Sequence, residues 1–159
     1  MIEWYLPLKL LHVLSSTVLF GTGIGTAFSM WRAHAGGDPR VIAATSRNVV
    51  LADWLFTTPA VVIQPATGLA LVSLLGYPLA SPWLVASYAL FVLVGACWLP
   101  VVWLQLRMRR LASLAVERGE PLPAAYHRCF ALWFALGWPA FAGVVAIFAL
   151  MVWKPALWG

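Results

Sequence analysis

Four long apolar runs leave this chain few ways to fold. They cover about residues 6–31, 54–75, 82–106 and 129–153, and each is near the ~20 residues a helix needs to cross a hydrocarbon core. A segment surrounded by lipid must satisfy its own backbone polar groups, which selects helices for runs of this length. The expected fold is therefore all-α: a four-transmembrane-helix bundle, with residues 1–159 forming one integral membrane domain. The charge content agrees. Only 9% of residues are charged and 63% are hydrophobic, against roughly 25% charged in soluble domains.

The net charge of +5 does not indicate a nucleic-acid partner, because the basic residues lie between the apolar runs. Arg32, Arg40 and Arg47 separate runs one and two; Arg107, Arg109, Arg110, Arg118 and Arg128 separate runs three and four. Only Lys9 and Lys154 lie toward the other side. The excess of Lys and Arg in short connections marks the cytoplasmic face, so both termini are expected on the non-cytoplasmic side. The first run is too long for a signal-peptide core, and Glu3 replaces the usual basic cluster. It is read as the first span.

Trp4, Trp83, Trp153 and Trp158 fall near one set of run ends, and Trp31, Trp54, Trp103 and Trp133 near the other. Their placement predicts two interfacial belts, leaving Trp98 and Trp138 for packing or a pocket. Cys97 and Cys129 lie in or beside apolar runs with no Cys-x-x-Cys or Cys/His spacing. Both read as small buried hydrophobes.

His12 stands inside the first run, where an ionisable group is costly and marks a pathway, relay or ligand site. At 100° per residue it shares a stripe with Ser16, Leu19, Gly23, Thr26, Met30 and His34. Most of these are small or polar, so the stripe is expected to face the bundle interior. Gly21, Gly23 and Gly25 offer steps where a helix or a flat ligand can approach. His12 and His34 are separated by roughly 33 Å of helix, so they cannot share one metal ion within a subunit.

A single imidazole in an apolar setting suits a haem better than a bare metal ion, which wants several ligands. Ser16 and Gly23 would make room for the ring. Lys9 could hold an anionic ligand group; Met151, Lys154, Ser87 and Tyr88 are the other candidates in the outer halves, and Gln64 would be a polar contact in a cavity opened by Pro59, Pro65, Pro100 and Pro139. Further candidates lie toward the cytoplasmic side: Arg32, His34, His127 and Arg128, together with Asp53, which opens the second span and is expected to pair with Arg32 or Arg128, a proton-entry or ligand-gating role being the alternative. Copper or small-solute transport is a second reading of the same polar stripe. Plain helix packing by a structural membrane partner is a third.

Taken together, Lys9-Leu-Leu-His12, Arg32, His34, Thr58-Pro59-Ala60, Gly68-Leu-Ala-Leu, Arg128, Pro139 and Val152-Trp-Lys-Pro155 form a pattern. It resembles a bacterial family of four-helix predicted integral membrane proteins of unknown function. More distantly it is similar to the HemJ-type protoporphyrinogen IX oxidases and the CopD-type copper-resistance membrane domain. The HemJ-type resemblance implies haem b on His12 and a membrane oxidoreductase role linked to a quinone or porphyrin. It also places Arg32, Arg128 and Lys154 at basic helix-end positions. The third span departs from that pattern, since Trp83-Leu-Val-Ala-Ser-Tyr88 carries no basic residue. A homodimer is expected, because a chain this small could complete a haem site across a two-fold axis.

Overall fold

A computed structural model describes residues 2–157 and contains only helices. The helices are α1 (Ile2–Gly36), α2 (Pro39–Ala52), a π-helical segment (Asp53–Thr57), α3 (Thr58–Leu75), α4 (Pro82–Arg118) and α5 (Ala124–Trp153). Because α2, the π segment and α3 are continuous, four rods are long and apolar enough to cross a membrane: Glu3–Gly36, Pro39–Leu75, Pro82–Arg118 and Ala124–Trp153. The four expected spans are present; their ends at Leu75, Pro82 and Trp153 hold, and the other five boundaries move outward. The stretches holding Arg40, Arg47 and Arg107–Arg118 are helical extensions, not loops.

Local chemistry sets the rod ends. Asp38 is extended and accepts from the Arg40 N–H at 2.8 Å, with Pro39 opening α2, so a cap and a pre-set φ start the helix only two residues after α1 ends. At the other end of the bundle Gly76 takes φ 69°, and the Gly76 and Tyr77 N–H groups return to Ser73 and Val72. That left-handed closure turns the chain from α3 to α4. Gly119 does the same after α4 at φ 64°.

The helices pack in a definite pattern. α4 and α5 form the most extensive pair, α2 lies on α4, and α1 lies on α3 and α2. Gly143 permits the α4–α5 approach, since a Cβ there would stand 2.6 Å from Val94 Cγ2. The main core gathers at the arginine-rich end, where Met30, Ile42, Leu104, Met108, Tyr126 and Trp133 meet. A smaller cluster of Val72, Trp83 and Leu84 closes the end that carries the chain termini.

The Trp belts need correction. Trp4, Trp153, Trp31, Trp54 and Trp103 are exposed as expected, but Trp83 and Trp133 are buried in the two cores. Trp138 is exposed rather than packed, and Trp158 lies outside the described residues. The two cysteines are free; Cys129 is buried and Cys97 half-buried.

The helices continue through Pro65, Pro100 and Pro139. The departure from α geometry instead precedes Pro59. There the Thr58 N–H bonds Asp53 O, one residue farther back than in an α-helix. Pro59 cannot donate to the carbonyl four residues behind it, which favours such a bulge.

Tyr126 is fully buried and its hydroxyl has no hydrogen-bond partner. An unsatisfied buried hydroxyl costs roughly 1–3 kcal/mol. Tyr126→Phe is therefore expected to leave the fold unchanged and raise stability by about 1 kcal/mol, measured as a shift to higher temperature in a detergent melt.

Candidate functional site

His12 sits where α1 crosses α3. Its Nδ1 lies 2.9 Å from Thr67 Oγ1. The Thr67 hydroxyl donates to Ile63 O at 2.7 Å, so its oxygen is left to accept and the imidazole proton belongs on Nδ1. The Nε2 lone pair then receives the Gln64 carboxamide Nε2 at 3.2 Å. The Ser15 hydroxyl, in turn, is shared between Gln64 Oε1 and His12 O. A continuous hydrogen-bonded chain thus runs from Ser15 through Gln64 and His12 to Thr67.

Helical spacing builds this cluster. Gln64 and Thr67 are three residues apart and occupy one face of α3, as do Ser15 and His12 on α1. Gly68, one residue after Thr67, lets the ring fit, since a Cβ there would stand 3.2 Å from His12 Cε1. Ser15 and Thr67 are buried, while His12 and Gln64 are half-buried.

The inward stripe of α1 is largely as expected: Met30 is buried, and His12, Ser16, Leu19, Thr26 and His34 are half-buried. Gly23 is the exception. It is exposed, and a Cβ at Gly21, Gly23 or Gly25 would meet no atom within 4 Å, so these steps do not admit another helix of the same chain. Ser16 bonds only back to Val13 O at 2.7 Å. Gln64, expected as a polar contact in a cavity, hydrogen-bonds His12 and Ser15. Ser15, which actually joins the cluster, is about 60° around the helix from His12, and a strict stripe omits it.

The basic candidates are dispersed. Lys9 lies over the Tyr5 ring at 5.5 Å. Lys154 takes φ 44° and donates to the Tyr77 hydroxyl at 3.0 Å, over the Tyr77 and Trp83 rings. It therefore ties the end of α5 to the α3–α4 turn. Arg32 rests on Trp31 at 5.8 Å, and Arg128 is exposed.

At the arginine-rich end His34 stacks on Phe130 at 3.5 Å between ring centroids and meets the His127 ring at 5.6 Å. The two histidines flagged by sequence are thus brought together, bridging α1 and α5. No group of three His, Cys, Asp or Glu side chains suited to a metal ion occurs among the described residues.

Asp53 does not begin a helix. It lies inside a continuous rod, at the first residue of the π segment, so no helix N-terminus favours its charge. It is 7% exposed, and its Oδ1 accepts from Thr57 at 2.9 Å. Oδ2 has no partner, and no pairing with Arg32 or Arg128 is present. Gln105, which sequence reading passed over, approaches Asp53 from α4 and is itself buried with an unpartnered Oε1.

Residues 6–155 match a family described as "Predicted integral membrane protein (DUF2269)". No curated protein and no solved structure matches the chain.

Proposed function

The chain belongs to this family of predicted integral membrane proteins, and we propose that it is a b-type haem protein of the bacterial inner membrane with a redox role, His12 being the axial ligand. The observation that carries this reading is the polarity of the His12 ring. Thr67 Oγ1, whose proton goes to Ile63 O, assigns the ring proton to Nδ1, and the Nε2 lone pair then faces the Gln64 carboxamide. Ligating histidines are typically set this way: an outer acceptor fixes the tautomer and the other nitrogen faces the metal.

The donor chemistry suits haem iron if the Gln64 amide turns aside. That motion gives up one neutral hydrogen bond, about 1 kcal/mol, while Ser15 can keep hold of the amide oxygen. Thr67 orients the ring, and Gly68 leaves it space. The bound group would supply one-electron exchange; the protein supplies position and an apolar surround. The arginine-rich end would face the cytoplasm by the positive-inside rule, which puts His12 in the outer half. The electron partner would be a quinone or a porphyrin. A second copy of the chain would pack on the open Gly21–Gly25 face of α1, where small residues permit close helix approach.

Titration of the purified protein with haem is expected to give a saturable Soret band that His12→Ala abolishes. A second reading also has an observation behind it, because both ring nitrogens are already hydrogen-bonded within the chain. There the cluster is a polar tie between α1 and α3, and the protein takes up no haem in the same titration. The copper-transport reading gains no ligand set from the described residues.

A further inference from the structure

One face of α4 changes from basic to apolar along its length. Leu99, Trp103, Leu106 and Arg110 follow at i, i+4, i+7 and i+11, a spacing that puts them on one side of the helix. Toward the arginine-rich end a groove of about 450 Å³ is bordered by Trp103, Leu106, Arg107 and Arg110. Farther along α4 a second groove, of about 270 Å³, runs past Trp98, Leu99 and Val102, with Trp54 and Thr58 on the facing rod. Trp103 and Leu106 border both grooves and are exposed. The two therefore adjoin on the lipid-facing surface.

Depth and charge match one lipid molecule. Arg110 and Leu99 are eleven residues apart, roughly 16 Å of helix, which is about half of the ~30 Å hydrocarbon core. The basic end carries two exposed guanidinium groups about one turn apart, and Arg107 rests on the Trp103 ring at 5.2 Å. Asp53 is the one carboxylate on these walls. It borders the deeper groove and is 7% exposed, so the groove itself does not neutralise the arginines. Guanidinium groups pair well with phosphate oxygens. A zwitterionic lipid would also bring an ammonium group against the same two charges, which disfavours it.

We infer that this face binds one anionic phospholipid, its phosphate on Arg107 and Arg110 and an acyl chain along Trp103, Leu106 and Leu99. The site needs only the bilayer and is independent of the haem reading of His12.

The test places the full-length protein in phosphatidylcholine bilayers. Each contains the same low mole fraction of acyl-brominated phosphatidylglycerol or acyl-brominated phosphatidylcholine, and bromine quenches Trp fluorescence on contact. An arginine at an anionic surface is worth about fivefold, so the pair should favour phosphatidylglycerol roughly 25-fold, seen as excess quenching by that lipid. Arg107→Gln with Arg110→Gln should remove the excess and leave the phosphatidylcholine quench unchanged. Arg109→Gln with Arg118→Gln deletes equal charge from α4 outside the groove and should keep it. Trp103→Phe should reduce the excess, because the reporter in the groove is lost. Melting curves verify that each variant is folded, and if the first pair unfolds, Trp103→Phe still locates the lipid. Equal quenching by the two lipids, whether the face is bare or covered by a second copy, would overturn the inference. So would an equal loss in both arginine pairs, which marks diffuse attraction, or an excess untouched by Trp103→Phe. Abolition by inorganic phosphate at constant ionic strength would also overturn it, since the ligand would then be the free anion.

Discussion

Gly143→Leu is expected to be the most destabilising single change on the α4–α5 seam, by about 1–3 kcal/mol, the usual range for overpacking. The reason is local. A Cβ at position 143 would already stand 2.6 Å from Val94 Cγ2, closer than any real contact. Val is stiff about χ1 in a helix, so its methyl cannot swing away cheaply. The two helices must separate, and their pairing is the most extensive in the molecule. Without a strong hydrophobic drive in lipid, such pairs depend on close van der Waals fit at small residues. Unfolding in increasing SDS should report the loss. Val94→Ala combined with Gly143→Leu should recover part of it, since the clash is with that methyl. A double variant no better than Gly143→Leu would show that the seam is not limited by this contact.

The second large effect concerns the His12 ring without removing it. Gly68→Val places a branched side chain where even a Cβ would lie 3.2 Å from His12 Cε1. The ring must shift away from Thr67, losing the bond that fixes its tautomer. Removal of an outer hydrogen-bond partner of a ligating histidine commonly lowers affinity roughly 10–100-fold. Haem affinity is expected to fall by about that factor in Gly68→Val, and similarly in Thr67→Val, which keeps the shape but deletes the acceptor. Ser16→Ala, whose hydroxyl only bonds back to its own helix, should leave affinity unchanged. If Gly68→Val and Ser16→Ala behaved alike, ring orientation would not govern binding.

Hydropathy and helical period made much of this architecture legible. The four spans follow from run length, and the half-buried face of α1 follows from spacing. The helix ends were concealed by charge. Arginines suggested loops, although Asp38-Pro39 and Gly119 already carry start and stop signals that place those arginines on helices. The His12 cluster was half visible. His12 and Gln64 stood out as polar groups in apolar runs, but their meeting depends on the register between α1 and α3, which no local pattern encodes. Ser15 was missed because it lies just off the strict stripe, and Gly23 was placed inward, although it is exposed, because a small residue fits both a contact and an open face. Lys154 finds Tyr77 across 77 positions, a contact set only by assembly. Likewise, Thr57-Thr58-Pro59 hinted at a disturbed helix, yet the burial of Asp53 against Gln105 required α4 to be in place.

Chemical rescue at position 12 tests the haem reading most directly. Wild-type protein purified from haem-replete cells should show a Soret band. His12→Ala should lack it and regain it when imidazole is added, because the free ligand occupies the space and role of the lost ring. A colourless wild-type protein, or a His12→Ala variant with an undiminished band before imidazole is added, would contradict the account.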